Sequence, residues 1–189
     1  VRGLGSGNVD FRLRQSDFGA DSRMKGAPWL GMPVSEIASL DRLLIVGSFF
    51  RKDHPLLAQR VRQAVKKGLK VSALNPAFDD WQFALQNQAC VSPSEMGAAL
   101  LRVAKALVEL GGVALSPDFQ ALVDGVQVDD QALAIARSLG SGRRVAIWIG
   151  NYAVQHQDGV ALHAIASEIA RLCGGRFGIL GEAANSVGG

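Results

Sequence analysis

Apolar positions along the chain fall into two kinds of run. Leu43-Leu44-Ile45-Val46-Gly47 is continuous rather than alternating. A strand buried on both faces, as in a parallel sheet, reads this way. Val71-Ser72-Ala73-Leu74 reads as a second short strand, Val145 to Ile149 closed by Gly150 as the strongest strand in the chain, and Phe177 to Gly181 as a final one. Between them the apolar positions recur at helical spacing. Leu57, Val61, Ala64 and Val65 share one face of a segment whose other faces carry Arg60, Arg62, Gln63, Lys66 and Lys67. Pro55 suits the first helical position, Asp53 or His54 is the expected cap, and Gly68 ends the segment. Met96, Leu100, Val103, Leu107 and Leu110 mark a second helix, closed by Gly111-Gly112. Its start, Ser92-Pro93-Ser94-Glu95, predicts a capping box. Ala132, Leu133, Ala136 and Leu139 mark a third helix, capped by Asp129 or Asp130 and closed by Gly140. Leu162, Ile165, Ala166, Ile169 and Leu172 mark a fourth, which stops at Gly174-Gly175.

Strand, helix, strand over residues 43–74 is a βαβ unit, whose crossover is expected to be right-handed. The continuing alternation predicts an α/β, Rossmann-like, doubly wound fold, with a mostly parallel sheet and helices on both faces. Residues 1–40 read as an irregular entry segment with a short helical turn near 34–40, and residues 41–189 as one domain. The stretch from Asn75 to Val91 is a connection with Trp81 and Phe83 and room for a short extra element. Residues 113–128 show no clear period, and no internal repeat is visible.

Composition narrows the class. The chain has 189 residues, 48% of them hydrophobic and 20% charged, with a mean hydropathy of +0.16. Intrinsic disorder needs the opposite balance. No apolar run reaches the roughly 18 residues of a membrane span, and no secretory signal opens the chain. The net charge of +3 lacks the clustered stripe and interleaved aromatics of a nucleic-acid binder. Cys90 and Cys173 are the only cysteines, too few for a disulfide framework or a four-thiolate cluster. Gly-rich text at both ends and the lack of an initiator Met suggest a piece of a longer protein.

Ligands of open parallel sheets bind beyond the carboxyl ends of strands. That rule singles out Gly47-Ser48, Asn75-Pro76 and Gly150-Asn151 as the positions to present backbone amides or small polar side chains to a nucleotide. Gly3-x-Gly5-x-Gly7 follows no strand and opens no helix, so it lacks the context of a phosphate loop. His54, His156 and His163 have no metal-ligand spacing. Cys173 follows an apolar face and reads as a packed small hydrophobe. Arg60, Arg62, Lys66, Lys67 and Lys70 read as a solvated helix face or, more sharply, as a docking surface for an acidic partner.

Several of these stretches resemble one family. Asn8-Val9-Asp10-Phe11-Arg12-Leu13-Arg14-Gln15-Ser16-Asp17 is similar to the entry into the molybdopterin-oxidoreductase-like region of the large iron–sulfur subunit of bacterial NADH-quinone oxidoreductase, respiratory complex I. Leu43 to Ser48, followed by His54-Pro55 and the basic helix to Gly68, resembles the first nucleotide-binding unit of that region. Gly181-Glu182-Ala183-Ala184-Asn185-Ser186-Val187-Gly188 resembles a stretch common in the same protein.

The resemblance implies a site that has been emptied. Cofactor-binding relatives resemble Gly-Ser-Asn after the first strand, where this chain has Phe49 third, and Asp-Pro-Arg after the second, where it has Asn75-Pro76-Ala77. A carboxylate at that place holds ribose hydroxyls with charge, and Asn does not. Aligned on Asn8, Asp10 and Arg14, the relatives' metal-ligand position falls at Ser16. The implied role is assembly, with Gly47, Ser48, Asn75, Gly150, Asn151 and Ser16 as vestigial positions and no catalytic or metal-binding residue. The piece itself would hold no cofactor; iron–sulfur clusters belong to the parent chain. The implied partners are the iron–sulfur part of the same chain and the neighbouring peripheral-arm subunits, on the cytoplasmic side of the bacterial inner membrane, without nucleic acid or membrane insertion. Two alternatives stand beside it: a working molybdopterin guanine dinucleotide-binding oxidoreductase fragment, which Ser16 keeps open, and an unrelated nucleotide-binding module using Gly47-Ser48 and Gly150-Asn151.

Overall fold

A computed structural model describes residues 27–111 and 113–182, together with Gly3, Gly5, Gly7, Asp17 and Gly19. Its centre is a five-stranded sheet in the order β3-β2-β1-β4-β5, with every neighbouring pair parallel. The strands are β1 (Arg42–Val46), β2 (Lys70–Asn75), β3 (Asn87–Cys90), β4 (Val145–Ile149) and β5 (Arg176–Ile179). Leu43 to Val46 and all of β4 are buried, as continuous apolar runs require when helices cover both faces.

Strand alternation divides the core into two layers. Leu44, Val46, Leu74, Ile147 and Ile149 face a layer built from α3 (Met96–Gly111), α5 (Asp130–Gly140) and α7 (Gly159–Leu172). Leu43, Ile45, Val71, Ala73, Ala146 and Trp148 face the other way. There they meet α2 (Pro55–Lys66), a 3-10 helix at Val34–Ser39, Phe50 of the short α1 (Phe50–Asp53), and Trp81. The connections from β1 to β2 and from β2 to β3 thus cover one face, and α3, α5 and α7 cover the other. This is the doubly wound arrangement that the pattern predicted. Met32, Ile37 and Leu40 are buried in the second layer, so the described part of the entry segment shares the core of the strands. Gly31 also crosses β5 closely; a Cβ there would lie 1.8 Å from the Phe177 carbonyl oxygen.

Some local readings change. The extra element in the 75–91 connection is a strand, β3, and residues 117–123 of the aperiodic stretch form α4 (Pro117–Val123). Asp129 caps α5 by accepting the Ala132 amide at 2.7 Å, as expected. Neither Asp53 nor His54 caps α2 through its side chain. His54 Nε2 instead meets the Gly181 carbonyl oxygen at 2.7 Å and ties the end of the sheet to the start of α2. The capping box at Ser92 does not form either. A 3-10 turn at Pro93–Glu95 leads into α3, and Glu95 turns to Arg102 at 3.5 Å. Leu110 is exposed at the end of α3, where the helix has run past the layer it packs against.

Candidate functional site

The chain leaves β1 for one side of the sheet and reaches β4 from the other, so the crevice between these two carboxyl ends is the topological switch point. Gly47, Ser48, Gly150 and Asn151 lie at it, with Asn75 beside them at the end of β2. Their backbone groups are turned on one another. The Gly47 amide donates to the Leu74 carbonyl at 2.9 Å, and the Gly150 amide to the Val46 carbonyl at 2.8 Å. The Gly47 carbonyl accepts the Tyr152 amide at 2.9 Å and the Ala153 amide at 3.3 Å. These amides belong to α6 (Asn151–Val154), the turn of helix that follows β4. Amides at such a start are the donors a phosphate uses; here a carbonyl oxygen of the preceding turn uses them.

Asn75 completes the closure. Its Oδ1 accepts the Ser48 amide at 3.0 Å and its Nδ2 donates to the Ser48 carbonyl at 2.8 Å. Both residues are 1% exposed. The carboxamide therefore works as an extra peptide group that stitches the β1 turn to β2. A carboxylate in its place has no donor for the Ser48 carbonyl.

The two glycines have a packing explanation. A Cβ on Gly150 would lie 2.3 Å from Ser48 Cβ and 2.8 Å from the Gly47 carbonyl oxygen. One on Gly47 would lie 2.6 Å from the Ala153 nitrogen, and Gly47 has a φ of +59°, where side chains are strained. These residues are glycine because the two turns press together. Ser48 Oγ and Asn151 Oδ1 are buried without partners, but neither is exposed to anything outside the protein. Beside them Phe50 is fully buried, with its ring centroid 6.1 Å from Trp81, 6.3 Å from Trp148 and 6.2 Å from His54.

The remaining candidates are scattered. Ser16, the rest of the 8–16 segment and residues 183–188 lie outside the described residues. Gly3, Gly5 and Gly7 are exposed. No group of three His, Cys, Asp or Glu side chains stands close enough for a metal among the described residues. His163 packs edge-on to Phe177 at 4.6 Å, and burial lowers its pKa. Burial pushes the Cys173 thiol up to about 12, as suits a packed hydrophobe rather than a nucleophile. One shallow cavity of about 560 Å³ was not anticipated from the sequence. Tyr152, Gln155, His156 and Gln157 line it opposite Pro93 and Ser94. The i, i+4 spacing of Tyr152 and His156 is the signal in the sequence that could have found it. His156 Nδ1 accepts the Asp158 amide at 3.0 Å and is thereby held in place.

Fold and switch point together define a domain of the doubly wound, nucleotide-fold class. More narrowly, the family model for molybdopterin oxidoreductase matches residues 1–189, and the chain belongs to that family. No curated protein matches it. Among solved structures it is similar to a chain of the formyltransferase/hydrolase complex from Methylorubrum extorquens, determined in complex with methylofuran. The identity is 16% and the TM-score 0.54, over 87% of this chain and 42% of that one. This likeness is one of fold, and the chain spans less than half the length of that relative.

The group for which the family is named carries a phosphate, and its dinucleotide form a pyrophosphate, which would lie at the ends of the strands. The residues at the switch point do not fit it. The Gly47, Ser48, Gly150, Tyr152 and Ala153 amides are all engaged by the protein itself. The glycines that would let a ligand approach are filled by the opposite turn. No ionisable side chain lies among Gly47, Ser48, Asn75, Gly150 and Asn151, so these positions offer no acid, base or nucleophile of ordinary strength.

Proposed function

We propose that this chain is a structural and assembly domain, a molybdopterin-oxidoreductase fold without the pterin, within the large iron–sulfur subunit of an NADH-quinone oxidoreductase. The observation that carries the structural half is the Gly47 carbonyl seated on the Tyr152 and Ala153 amides, because it fills the place of a phosphate with the chain's own backbone. Phe49 and Asn75-Pro76-Ala77, where cofactor-binding relatives resemble Asn and Asp-Pro-Arg, support the same reading. The complex I half is supported by the resemblance of residues 8–17, 43–68 and 181–188. On this reading electrons travel from NADH to quinone through iron–sulfur clusters held elsewhere in the parent chain. The domain braces that cluster-bearing part and the neighbouring subunits on the cytoplasmic side of the bacterial inner membrane. No helix of the described residues is long and apolar enough to cross a membrane, which agrees with a peripheral position.

The test is the metal content per chain of the intact parent protein, purified from its own cells. Iron without molybdenum or tungsten, together with NADH-quinone oxidoreductase subunits in the same preparation, is the expected result. Near-stoichiometric molybdenum or tungsten overturns the emptied-site reading and makes Ser16 the first residue to substitute. A metal-free parent purified without those subunits overturns the complex I assignment.

A further inference from the structure

We infer that the groove between α2 and the 3-10 helix is a docking site for an acidic, amphipathic protein segment. Three observations combine there. The first is charge. Arg60, Arg62 and Lys66 on α2 are exposed, as are Lys67 at its C-cap and Lys70 just beyond it, and none of them makes an ion pair among the described residues. From Pro55 to Lys66 the helix contains no carboxylate. Glu36, the carboxylate of the facing 3-10 helix, is committed to Arg176 at 2.8 Å.

The second is arrangement. At 100° per residue, Gln59, Gln63, Lys67 and Arg60 occupy one continuous arc, with Arg62 and Lys66 on the arc beside it. Arg60 and Lys67 are two turns apart, about 10 Å along the axis. A partner helix with carboxylates seven residues apart presents its charges at the same interval.

The third is shape. The groove has a volume of about 150 Å³ and is lined by Val34, Ile37, Ala38 and Ala64, with Gln59, Arg60, Gln63 and Lys67 along α2. Its apolar floor takes an aliphatic side chain while the cations on one wall meet the acids beside it. A membrane surface is the poorer match: interfacial helices present a continuous apolar face to the bilayer below their basic residues, whereas Leu57, Ala58, Val61, Ala64 and Val65 of α2 pack on the core and Leu56 is the single large apolar side chain of the helix that is exposed. Electrostatic complementarity of this kind sets the rate and register of association more than its strength.

The test uses the full-length parent protein in its native assembly, with a zero-length carbodiimide as the probe. This reagent joins a lysine amine to a carboxylate only in contact. Lys66 or Lys67 is expected to link to Asp or Glu of a second polypeptide, in a segment where acidic and aliphatic residues interleave. Arg60→Glu with Lys67→Glu is then expected to lower recovery of that polypeptide about tenfold with the melting temperature unchanged. Lys substituted at the linked acids restores recovery. Links confined to this chain, or none while linkage proceeds elsewhere in the assembly, overturn the inference. So does protection of Lys66 and Lys67 by phosphatidylglycerol vesicles instead of by protein, which would assign the face to anionic lipid. Linkage reads contact and not electron transfer, so it decides this inference whichever assembly the metal and subunit analysis reveals.

Discussion

The end of the sheet at β1 and β4 and the outer face of α2, the helix that follows β1, answer opposite demands. At the first, two turns meet with neutral groups only, and every named amide has an acceptor within the protein. At the second, three cations on one helix and a fourth at its C-cap make no ion pair among the described residues. Burial explains the contrast. A polar group taken from water without a partner costs several times what its hydrogen bond contributes, so a buried end must close on itself. An exposed charge keeps its water and needs no partner to fold. A site that looks like a ligand cradle in sequence thus spends its named backbone amides within the protein, although Ser48 Oγ and Asn151 Oδ1 stay unpartnered there, and a face that looks merely solvated is the one whose charges are left unpaired among the described residues.

The largest effect expected at the closed end is from Phe50→Ala. The ring is fully buried between Trp81 and Trp148, so its loss leaves a cavity and costs about 4 kcal/mol. For a chain of this size that lowers the melting temperature by roughly 10 °C. Calorimetry reads it directly; a change under a third of that would mean the closed end is looser than its packing implies.

Asn75→Ala is next. It strands the buried Ser48 amide and carbonyl at once and is expected to cost about 3 kcal/mol in urea unfolding. Asn75→Asp sharpens the point with a sign. The introduced carboxylate accepts from the Ser48 amide but faces the Ser48 carbonyl, so only its protonated form restores both bonds. Its folded pKa is raised above the unfolded value near 4. The stability it supplies is therefore full below about pH 4 and is lost as pH rises through the folded pKa. Equal urea midpoints at pH 4 and pH 8, relative to the parent chain, would mean that the stitch is not made.

Gly150→Ala comes third, at about 2 kcal/mol of overpacking. The φ of Gly150 is −104°, so backbone strain is not the cause; the collision with Ser48 Cβ is. Adding Ser48→Gly to the same protein is expected to recover about half of the loss. No recovery in the double variant would move the explanation away from the contact between the turns.

How far the sequence carried depended on which distances mattered. Continuous apolar runs revealed β1, β2, β4 and β5 because a strand between two helical layers needs no alternation. Period and terminal glycines revealed α2, α3, α5 and α7. The short β3 was hidden because Asn87-Gln88-Ala89-Cys90 has no apolar run, its pairing to β2 resting on the backbone ladder and on Asn87 Nδ2 donating to Ser72 Oγ at 3.1 Å. Local cap rules failed at His54 and Ser92, where tertiary partners and a 3-10 turn took over. The switch-point residues were legible as a group from strand ends. Their use was not, because a glycine kept for a ligand and a glycine kept for a neighbouring turn are the same letter. Gly47 and Gly150 are told apart from a phosphate cradle only by what a Cβ would meet.

Glu168 shows what a charge needs when it is buried, and so tests the rule behind the comparison. Its side chain is 5% exposed. Arg171 donates to it at 2.7 and 2.8 Å and the Ser116 amide at 2.8 Å, which fastens the 113–116 turn to α7. These donors, the Arg171 guanidinium foremost, hold its carboxyl at about 2 against the opposing effect of burial. A depressed pKa places the contribution above the unfolded value near 4.5 and removes it as pH falls toward 2. With Arg171 half exposed and screened, that contribution is on the order of 2 kcal/mol. Glu168→Gln is expected to lower stability by that amount at pH 7 and to flatten its decline between pH 4.5 and pH 2, as followed by circular dichroism.

The smallest effect is expected on α2, and its sign carries the argument. Arg62 and Lys66 are four residues apart on one helix, a like-charged pair that destabilises by about 0.3 kcal/mol. Arg62→Ala removes that repulsion and adds the better helix former, while Lys66, whose charge suits the last turn of the helix, stays in place, so the domain is expected to gain a few tenths of a kcal/mol, read as a rise of about 1 °C in melting temperature. A loss above about 1 kcal/mol would make the basic face a structural element and erase the contrast with the closed end. A gain means that folding tolerates the charge without using it, so whatever use it has lies outside the fold.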